Sequence, residues 1–470
     1  MIGITPRGKQ TEVLALPAKG HLIVLGTAGS GKTTVALLRA AHLASLPGKD
    51  KVLIVTFNGA LVQYMRGISE SFSTKLVVES YHKFARGYLN GIGKMPKRNG
   101  ILTPKEKAIY IEKAVEFLKK QYPAESTFKR SKEFFVDEIT FIEQFGFADF
   151  LAYRDAERIG RASANIKREN RKWIFAVYKK YIELREKAGR KYDWEDLAFY
   201  VYKELQMDTR KKRYTHIIVD EGQDFSPMMI KSLVSAVADD GSFTFFGDVA
   251  QQIYGSRLSW RDSGINAEKV WKFDINYRNP STITDFASDI TKNQYWSQND
   301  DMVSAKNEIA EGPKPILVKF TNQQREMKWV VERAISTGKT SSVVIICRNR
   351  SDIDNFKWLL KKKGYDATEI DKSTPGYAHI KTIYLTTFHA AKGLEFDNVF
   401  VPFLTETKFP DPDTIASAVS KNDAYADEIK LLYVAVTRSK YGLYMTYYGT
   451  LSPLFPEHSR NYDFSEENEI

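Results

Sequence analysis

The residues with the clearest chemical meaning lie near the start of the chain, in the run Gly26-Thr-Ala-Gly-Ser-Gly-Lys-Thr33. The apolar run Leu22–Leu25 precedes it, and residues 34–41 have the composition of a helix. A buried strand, a glycine loop and a helix N-terminus together form a phosphate cradle, because glycines let backbone N–H groups turn inward and the helix dipole attracts negative charge. We therefore expect a nucleotide-binding loop rather than an ordinary Gly-rich turn.

Two side chains of this loop have specific expected roles. Lys32 would reach the β and γ phosphates of a nucleoside triphosphate, and the Thr33 hydroxyl would hold Mg²⁺. The expected ligands are thus a nucleoside triphosphate and Mg²⁺, and the family resemblance described below implies that the nucleotide is ATP. The other residues expected to contact the nucleotide are Gly26, Thr27, Ala28, Gly29, Ser30, Gly31 and Thr34.

Two adjacent carboxylates follow a second apolar run, His216–Val219. Open α/β sheets bind their ligands at the carboxyl ends of the strands, which is where these acids would lie. Asp220 is expected to hold Mg²⁺ directly or through water, and Glu221 to orient and deprotonate the attacking water. Paired acids after a strand often form a solvated turn, but the phosphate loop upstream favours the metal site.

Further polar residues fit phosphoryl transfer. Gln251 follows the apolar run Phe243–Phe246 and would sense the γ phosphate, while Tyr254 offers a flat face for a base. Arg278 and Arg438 would neutralise the charge that develops on the γ-phosphate oxygens. Most arginines are ordinary surface residues, so this role depends on the order of the surrounding motifs.

The elements that must position these residues form two blocks of short apolar runs around a helical, Lys- and Arg-rich middle. Such runs between helices predict an α/β fold with parallel sheets covered on both faces. The second block begins at Val270, and the acidic end, residues 463–470, is expected to be frayed. The predicted division is a first α/β domain at 1–84 and 196–268, a helical insertion at 85–195, and a second α/β domain at 269–470.

Composition supports a polyanionic partner and gives no sign of a membrane segment. The chain has 470 residues, a net charge of +11 and 13% aromatic residues. A basic balance favours nucleic acid. The single cysteine, Cys347, excludes a disulfide framework within the chain and suits a reducing cytoplasm. There is no apolar stretch near the ~18 residues of a membrane span and no signal-peptide core, so a cytoplasmic protein is expected.

The order of these segments resembles that of the UvrD/Rep-like helicases of superfamily 1, from Gln10 to about Lys440. The resemblance implies two RecA-like P-loop motor domains with a helical insertion in the first. The segments that carry it are Gly26–Thr33, Val55–Arg66, Ser80–Phe84, Tyr192–Leu197, Asp220–Asp224, Gly247–Tyr254, Asn276–Arg278, Thr386–Asp397 and Tyr433–Lys440.

The resemblance also implies roles for single residues. Gln10 would read adenine, Tyr277 would stack on it, and Glu395 would lie near the ribose and phosphates. Arg278 and Arg438 match arginine fingers from the second motor domain. The residues at positions that touch single-stranded nucleic acid in the family are Phe57, Asn58, His82, Tyr254, Trp260, Thr387 and His389.

The implied function is an ATP-dependent translocase or helicase that moves 3′→5′ on single-stranded DNA or at single-strand/duplex junctions. One departure from the family leaves a second hypothesis open. Only residues 349–385, 37 in all, separate Arg348 from Thr386, which is too few for the accessory domain that relatives carry there. The alternative is a DNA-binding ATPase switch that regulates a protein partner such as a nuclease, for example in anti-phage defence.

Overall fold

A computed structural model supplies the three-dimensional structure of the protein. It describes residues 5–47, 51–57, 59–69, 74–96, 100–156, 166–248, 260, 263–296, 306–307, 311–370, 382–418 and 420–469.

The helices, numbered in chain order, are α1 Lys9–Leu14, α2 Lys32–Ser45, α3 Gly59–Ser69, α4 Tyr81–Gly91, α5 Pro104–Gln121, α6 Lys132–Phe145, α7 Phe150–Asp155, α8 Arg171–Lys187, α9 Leu197–Met207, α10 Pro227–Ser235, α11 Ser281–Ile290, α12 Gln323–Gly338, α13 Arg350–Lys362, α14 Pro412–Ser417 and α15 Lys421–Val436. Short 3₁₀ helices span Ser126–Lys129, Arg168–Asn170, Gly222–Asp224 and Glu467–Glu469.

The strands are β1 Gly20–Gly26, β2 Val52–Thr56, β3 Leu76–Ser80, β4 Ile101–Leu102, β5 Tyr192–Asp193, β6 Tyr214–Val219, β7 Val237–Gly247, β8 Val270–Phe273, β9 Ile275–Asn276, β10 Lys306–Asn307, β11 Ile316–Phe320, β12 Val343–Cys347, β13 Ala367–Glu369, β14 Ile383–Thr387, β15 Phe396–Val401, β16 Ser439–Tyr448 and β17 Asp463–Glu466.

The first sheet has the strand order β3-β2-β6-β7-β1-β8, and all its strand pairs are parallel. Alternate residues of β2 point to opposite faces. Leu53 and Val55 pack under α4, α9 and α10, whereas Val52 and Ile54 pack under α2 and α3. Because both faces are covered, the strand is apolar throughout rather than alternating. The parallel order brings the ends of β1 and β6 to the same edge.

The boundaries of the first domain extend further than the sequence pattern predicted. Helix α4 contains the predicted boundary at 84/85, and its buried residues pack in the core of the first sheet. Strand β8 lies beyond the predicted end at residue 268 and pairs with β1. The separate core of the helical insertion is formed by α5 to α8, between Leu102 and Tyr181. Parallel pairing of β4 with β5 closes the base of this insertion.

The second sheet is also parallel, with the strand order β13-β14-β12-β15-β16-β11-β17. Helices α12 and α13 cover one face, and α11 and α15 cover the other. The prediction of a frayed C-terminus is wrong, since β17 pairs with β11 and Glu467 lies 2.9 Å from Arg325. Ion pairs with basic residues offset the acidity that suggested disorder.

The predicted α/β class with two parallel sheets is therefore confirmed. In the parts of the chain that the structure describes, no helix has the length and apolar character needed to cross a bilayer.

Candidate nucleotide site between the two sheets

The phosphate loop runs from the end of β1 into the first turn of α2, as the sequence predicted. The Lys32 side chain is buried, and its amino group donates to the carbonyl oxygens of Gly26 at 2.9 Å and Thr27 at 2.7 Å. The Asp248 carboxylate, just past β7, lies 3.6 Å away. The loop thus holds an ammonium group at a helix N-terminus, which is a favourable position for bound phosphate.

The side chain of Thr33 meets Asp220 at this edge of the sheet. Thr33 Oγ1 donates a 2.8 Å hydrogen bond to Asp220 Oδ2, and burial together with the neighbouring charge of Glu221 raises the pKa of the Asp220 carboxyl to about 7. Asp220 Oδ1 is buried and has no hydrogen-bond partner among the described residues. A hydroxyl beside a carboxylate with an unsatisfied oxygen is a suitable oxygen donor set for Mg²⁺. These two residues fit the ion that the sequence predicts.

Glu221 is held in an unusual backbone conformation next to Asp220. Its φ is +53°, in the left-handed region of backbone conformation that residues other than glycine rarely adopt. Gln223 Nε2 donates to Glu221 Oε2 at 2.5 Å, and Gln223 Oε1 accepts from the backbone N–H of Asp248. Burial alone would raise the pKa of Glu221, but the positive charges of Lys392, Lys32 and Arg438 outweigh it and lower that pKa. The carboxylate is therefore held ionised, as a general base requires.

A segment from the far side of the cleft lies directly on the phosphate loop. The backbone N–H of Tyr277 donates to the Gly29 carbonyl at 2.9 Å. Gly29 has φ +74°, and a Cβ there would lie 2.2 Å from Asn276 Oδ1 and 2.8 Å from Arg278 Cβ. Only glycine permits this approach. The segment 276–278 is thereby fixed beside the loop, close to where a triphosphate would lie.

The part of the chain that follows β8 contributes a cluster of charged residues to the same cleft. Arg278 lies 2.5 Å from one carboxylate oxygen of Glu395, and Lys440 lies 2.9 Å from the other. Burial opposes ionisation of Glu395, but Arg278 and Lys440 outweigh it and lower its pKa to about 2. The Arg278 guanidinium is thus oriented by a carboxylate that remains charged throughout the neutral range.

Arg438 is fully buried at the end of α15. Its guanidinium donates to the carbonyl of Val434 at 2.8 Å and to Thr437 Oγ1 at 3.1 Å. Burial and the positive charge of Arg278 outweigh the attraction of Glu221 and Glu395, and the pKa of Arg438 is lowered to about 10. A cation with this much desolvation that interacts with Glu221 fits the predicted finger position.

The residues expected at the base and ribose lie around the same loop. Gln10 is buried, and its Nε2 donates to the Ser30 carbonyl at 2.9 Å, while its Oε1 accepts from Arg7 N at 3.1 Å. Thr34, in the first turn of α2, and Tyr277 are half-buried. The structure therefore brings together those residues predicted for the ATP site that it describes, although they come from widely separated parts of the chain.

One site residue escaped the sequence analysis as an individual prediction. Lys392 Nζ lies 2.6 Å from Asp224 Oδ1, and both side chains are almost completely buried. Among the nearby cations, Lys392 also contributes most to lowering the pKa of Glu221. Its position in the segment Thr386–Asp397 was the available signal, but a sequence does not show which carboxylate a lysine contacts.

The residues predicted to touch nucleic acid divide into two groups. The rings of Phe57 and His82 pack edge-to-face with their centroids 5.7 Å apart. The Trp194 ring packs edge-on to His82 with a centroid distance of 5.1 Å. All three are half-buried at the rim of the first core. Trp194 was not predicted, although the segment Tyr192–Leu197 was identified. Trp260, in contrast, packs 4.9 Å from Phe245, so its ring contributes to that core.

The remaining predicted contacts lie at the end of β14 or outside the described residues. Thr387 Oγ1 accepts a hydrogen bond from Ala390 N at 3.2 Å, and His389 is half-buried in the same turn. Asn58, Gln251 and Tyr254 lie outside the described residues, so their predicted roles remain predictions.

A phosphate loop on one parallel sheet, with cationic side chains of a second α/β domain beside the neighbouring acids Glu221 and Asp224, defines a P-loop protein with two motor-type α/β domains. Residues 7–269 match the UvrD/REP helicase N-terminal domain, and residues 271–375 and 367–450 match the UvrD-like helicase C-terminal domain. The chain belongs to the UvrD/REP helicase family, and its two α/β domains are RecA-like.

Several curated proteins are similar to the chain at low identity. A probable DNA helicase of Mycoplasma pneumoniae is 24% identical over 91% of this chain and 80% of its own length. The putative ATP-dependent DNA helicase YjcD of Bacillus subtilis is 27% identical over 56% of this chain and 34% of its length. DNA helicase II of Haemophilus influenzae is 26% identical over 73% of this chain and 48% of its length. The chain thus spans half or less of the latter two relatives.

Proposed function

We propose that the protein is an ATP-dependent translocase or helicase that acts on single-stranded DNA. The observation that carries this proposal is the meeting of Glu221 and Lys32, from the first sheet, with Arg438 and Lys392, from the second. Nucleotide hydrolysis in such a site depends on how closely the two domains approach. A cycle of ATP binding and hydrolysis would therefore open and close the cleft. The relatives of the chain are named as DNA helicases, which supports DNA as the substrate.

The chain's own residues divide the hydrolytic work. Lys32 and the loop amides bind the β and γ phosphates, and Glu221 takes the proton of the attacking water. Gln223 fixes the orientation of Glu221, while Arg278 and Arg438 neutralise charge on the transferring phosphoryl group. Thr33 and Asp220 would hold Mg²⁺, which supplies Lewis-acid stabilisation of the phosphate oxygens.

DNA would cross the rim where Phe57, His82 and Trp194 lie, and reach Thr387 and His389 on the second domain. Aromatic faces stack on any base, so the grip does not depend on sequence. If each domain grips the strand differently in the open and closed states, each ATP cycle produces a directional step. We propose the 3′→5′ direction because the family resemblance implies it.

A translocation assay tests this function directly. We would measure displacement of streptavidin from biotin at the 5′ or the 3′ end of a single-stranded DNA, with ATP and with Glu221→Gln as the control. ATP-dependent displacement from the 5′ end supports 3′→5′ movement. Displacement from neither end would contradict the translocase proposal.

One observation favours the alternative of a DNA-binding ATPase switch that regulates a partner such as a nuclease. The connection between β12 and β14 contains α13, β13 and a short segment, rather than a further domain. A motor without an accessory domain has less surface for duplex, and signalling to a partner requires no processive movement. ATP hydrolysis stimulated by DNA ends, without displacement of streptavidin, would favour this switch.

A further inference from the structure

A buried ion pair connects the two α/β domains. Lys392 lies between β14 and β15 of the second sheet, and Asp224 ends the short 3₁₀ helix that follows β6 of the first. The side chains are 2.6 Å apart and only 2% and 3% exposed. A charge buried at this depth needs nearby opposite charge, because removal of one member of the pair takes away an attraction that offsets the desolvation of the other.

The neighbouring residue, Gly393, also lies close to the first domain. Gly393 has φ +78°, and a Cβ at this position would lie 3.3 Å from the Leu61 side chain on α3. Leu61 is fully buried, so it cannot move aside readily. The β14–β15 connection therefore meets the first domain through the ion pair of Lys392 and through a close approach at residue 393, where a side chain would crowd Leu61.

This connection links the expected DNA contacts to the catalytic carboxylates. Lys392 follows Thr387 and His389 and precedes Glu395, the partner of Arg278. Asp224 lies in the same tight turn as Glu221, where its backbone N–H donates to the Glu221 carbonyl at 3.1 Å. A displacement at the end of β14 would thus reach the catalytic turn through one ion pair.

We propose that Lys392 is a positioning residue whose ion pair with Asp224 latches the two domains in the hydrolysis-competent arrangement and transmits DNA binding to the catalytic turn. The transmission part rests on the proposed function, whereas the latch part rests on the buried pair alone. Neutralising one partner penalises the closed arrangement, because opening the cleft hydrates the charge that remains.

An interdomain distance measurement tests the latch. Dyes attached at Met207→Cys and Trp358→Cys would report the distance between the two domains by energy transfer, since both positions are exposed and lie on different domains. The native Cys347 is buried, so it would not compete for the dyes. We expect Lys392→Met and Asp224→Leu each to lower the ratio of closed to open molecules at least fivefold. The double variant replaces the pair by apolar side chains and should recover to within about twofold of the parent.

A second ion pair supplies the matched control. Lys408 and Asp352 lie 2.5 Å apart, and both belong to the second domain. Lys408→Met is expected to lower thermal stability without changing the interdomain ratio. Unchanged ratios in both single variants at residues 392 and 224, or additive losses in the double variant, would overturn the latch.

ATP hydrolysis separates the two parts of the proposal. In the single variants, the ratio of DNA-stimulated to basal hydrolysis should fall at least fivefold, while Lys408→Met keeps the parent ratio. A closed-to-open ratio that responds as expected, with DNA stimulation unaltered, would overturn the transmission part. A parent protein that DNA does not stimulate would refute the proposed function, and the energy-transfer ratios would still decide the latch.

Discussion

Thr33 and Asp220 are joined by a 2.8 Å hydrogen bond from the threonine hydroxyl to Asp220 Oδ2. This bond connects the first turn of α2 to the end of β6, although 187 positions separate the residues in sequence. The other oxygen of Asp220 is buried without a hydrogen-bond partner among the described residues. The pair therefore fixes the proposed metal position beside the phosphate loop and one residue before the proposed general base.

Replacement of Glu221 by glutamine should separate ATP binding from turnover. Glutamine has the same shape and can still contact Gln223, but it cannot take a proton from water. We expect the hydrolysis rate to fall by roughly 10²-fold or more, with ATP affinity within a few-fold of the parent. Steady-state hydrolysis and equilibrium titration with a fluorescent ATP analogue would measure the two effects. Full turnover in Glu221→Gln would show that another group is the base.

The role of Arg438 can be tested by a conservative change. Arg438→Lys keeps the positive charge but loses the planar fork that contacts Val434 and Thr437. We expect the maximal hydrolysis rate to fall by roughly 10³-fold while nucleotide affinity changes little, as for arginine fingers in other phosphoryl-transfer enzymes. Arg333→Lys, in α12 on the second domain, is the matched control. Equal rates in both variants would exclude the finger role.

Removal of the rim aromatics should weaken DNA binding and leave basal ATP hydrolysis intact. Phe57→Ala and Trp194→Ala are each expected to cost about 1–3 kcal/mol of affinity for single-stranded oligonucleotides, because one stacked base is lost. Their effects should be non-additive with His82→Ala, since the His82 ring contacts both of the other rings. Trp358→Ala removes an exposed tryptophan on α13 and serves as the control. Fluorescence anisotropy would measure the affinities, and wild-type binding by the rim variants would place the DNA elsewhere.

A buried carboxyl in the second domain gives a prediction for stability against pH. Glu326 is fully buried; its Oε1 accepts from Phe403 N and Thr446 Oγ1, and burial raises its pKa to about 7. The native state holds this proton more tightly than the unfolded chain. The contribution of protonated Glu326 to the free energy of unfolding is therefore fully present below the unfolded pKa of about 4.5, and it is lost as the pH rises through 7.

Glu326→Gln should remove this dependence, because an amide oxygen accepts the same two hydrogen bonds without a charge. We expect the parent to lose up to about 3 kcal/mol of unfolding free energy between pH 5 and pH 8 that the variant retains. Glu332→Gln, at an exposed position on the same helix, should behave as the parent. Urea unfolding at the two pH values measures the difference, and parallel pH profiles for parent and Glu326→Gln would contradict the assignment.

The sequence pattern was sufficient to predict where the phosphate loop and the two acids lie, because each stands in a short motif of adjacent residues at the end of a strand; their chemical roles stay proposals. Lys32, Thr33, Asp220 and Glu221 each lie within a short motif next to a buried strand, and parallel topology alone brings those strand ends together. The Lys392–Asp224 pair was not predicted, since it depends on the docking of two domains. No local pattern encodes that distance.

The domain boundaries were harder to predict for a related reason. Helix α4 continues the Lys- and Arg-rich character of the helical insertion, yet Tyr81, Phe84 and Leu89 pack in the first core. The base of the insertion also depends on a buried charge network, in which Lys107 contacts Glu143, Asp193 and Glu195. Charged residues usually indicate a surface, so composition alone gave no signal for this network.

The most direct test of the central claim is steady-state ATP hydrolysis with and without single-stranded DNA, measured beside Lys32→Ala. Lys19→Ala, at an exposed position before β1, is the matched control. A DNA-dependent motor predicts strong stimulation by DNA in the parent and in Lys19→Ala, and no turnover in Lys32→Ala. Hydrolysis that DNA leaves unchanged would contradict the account of this protein as an autonomous DNA motor.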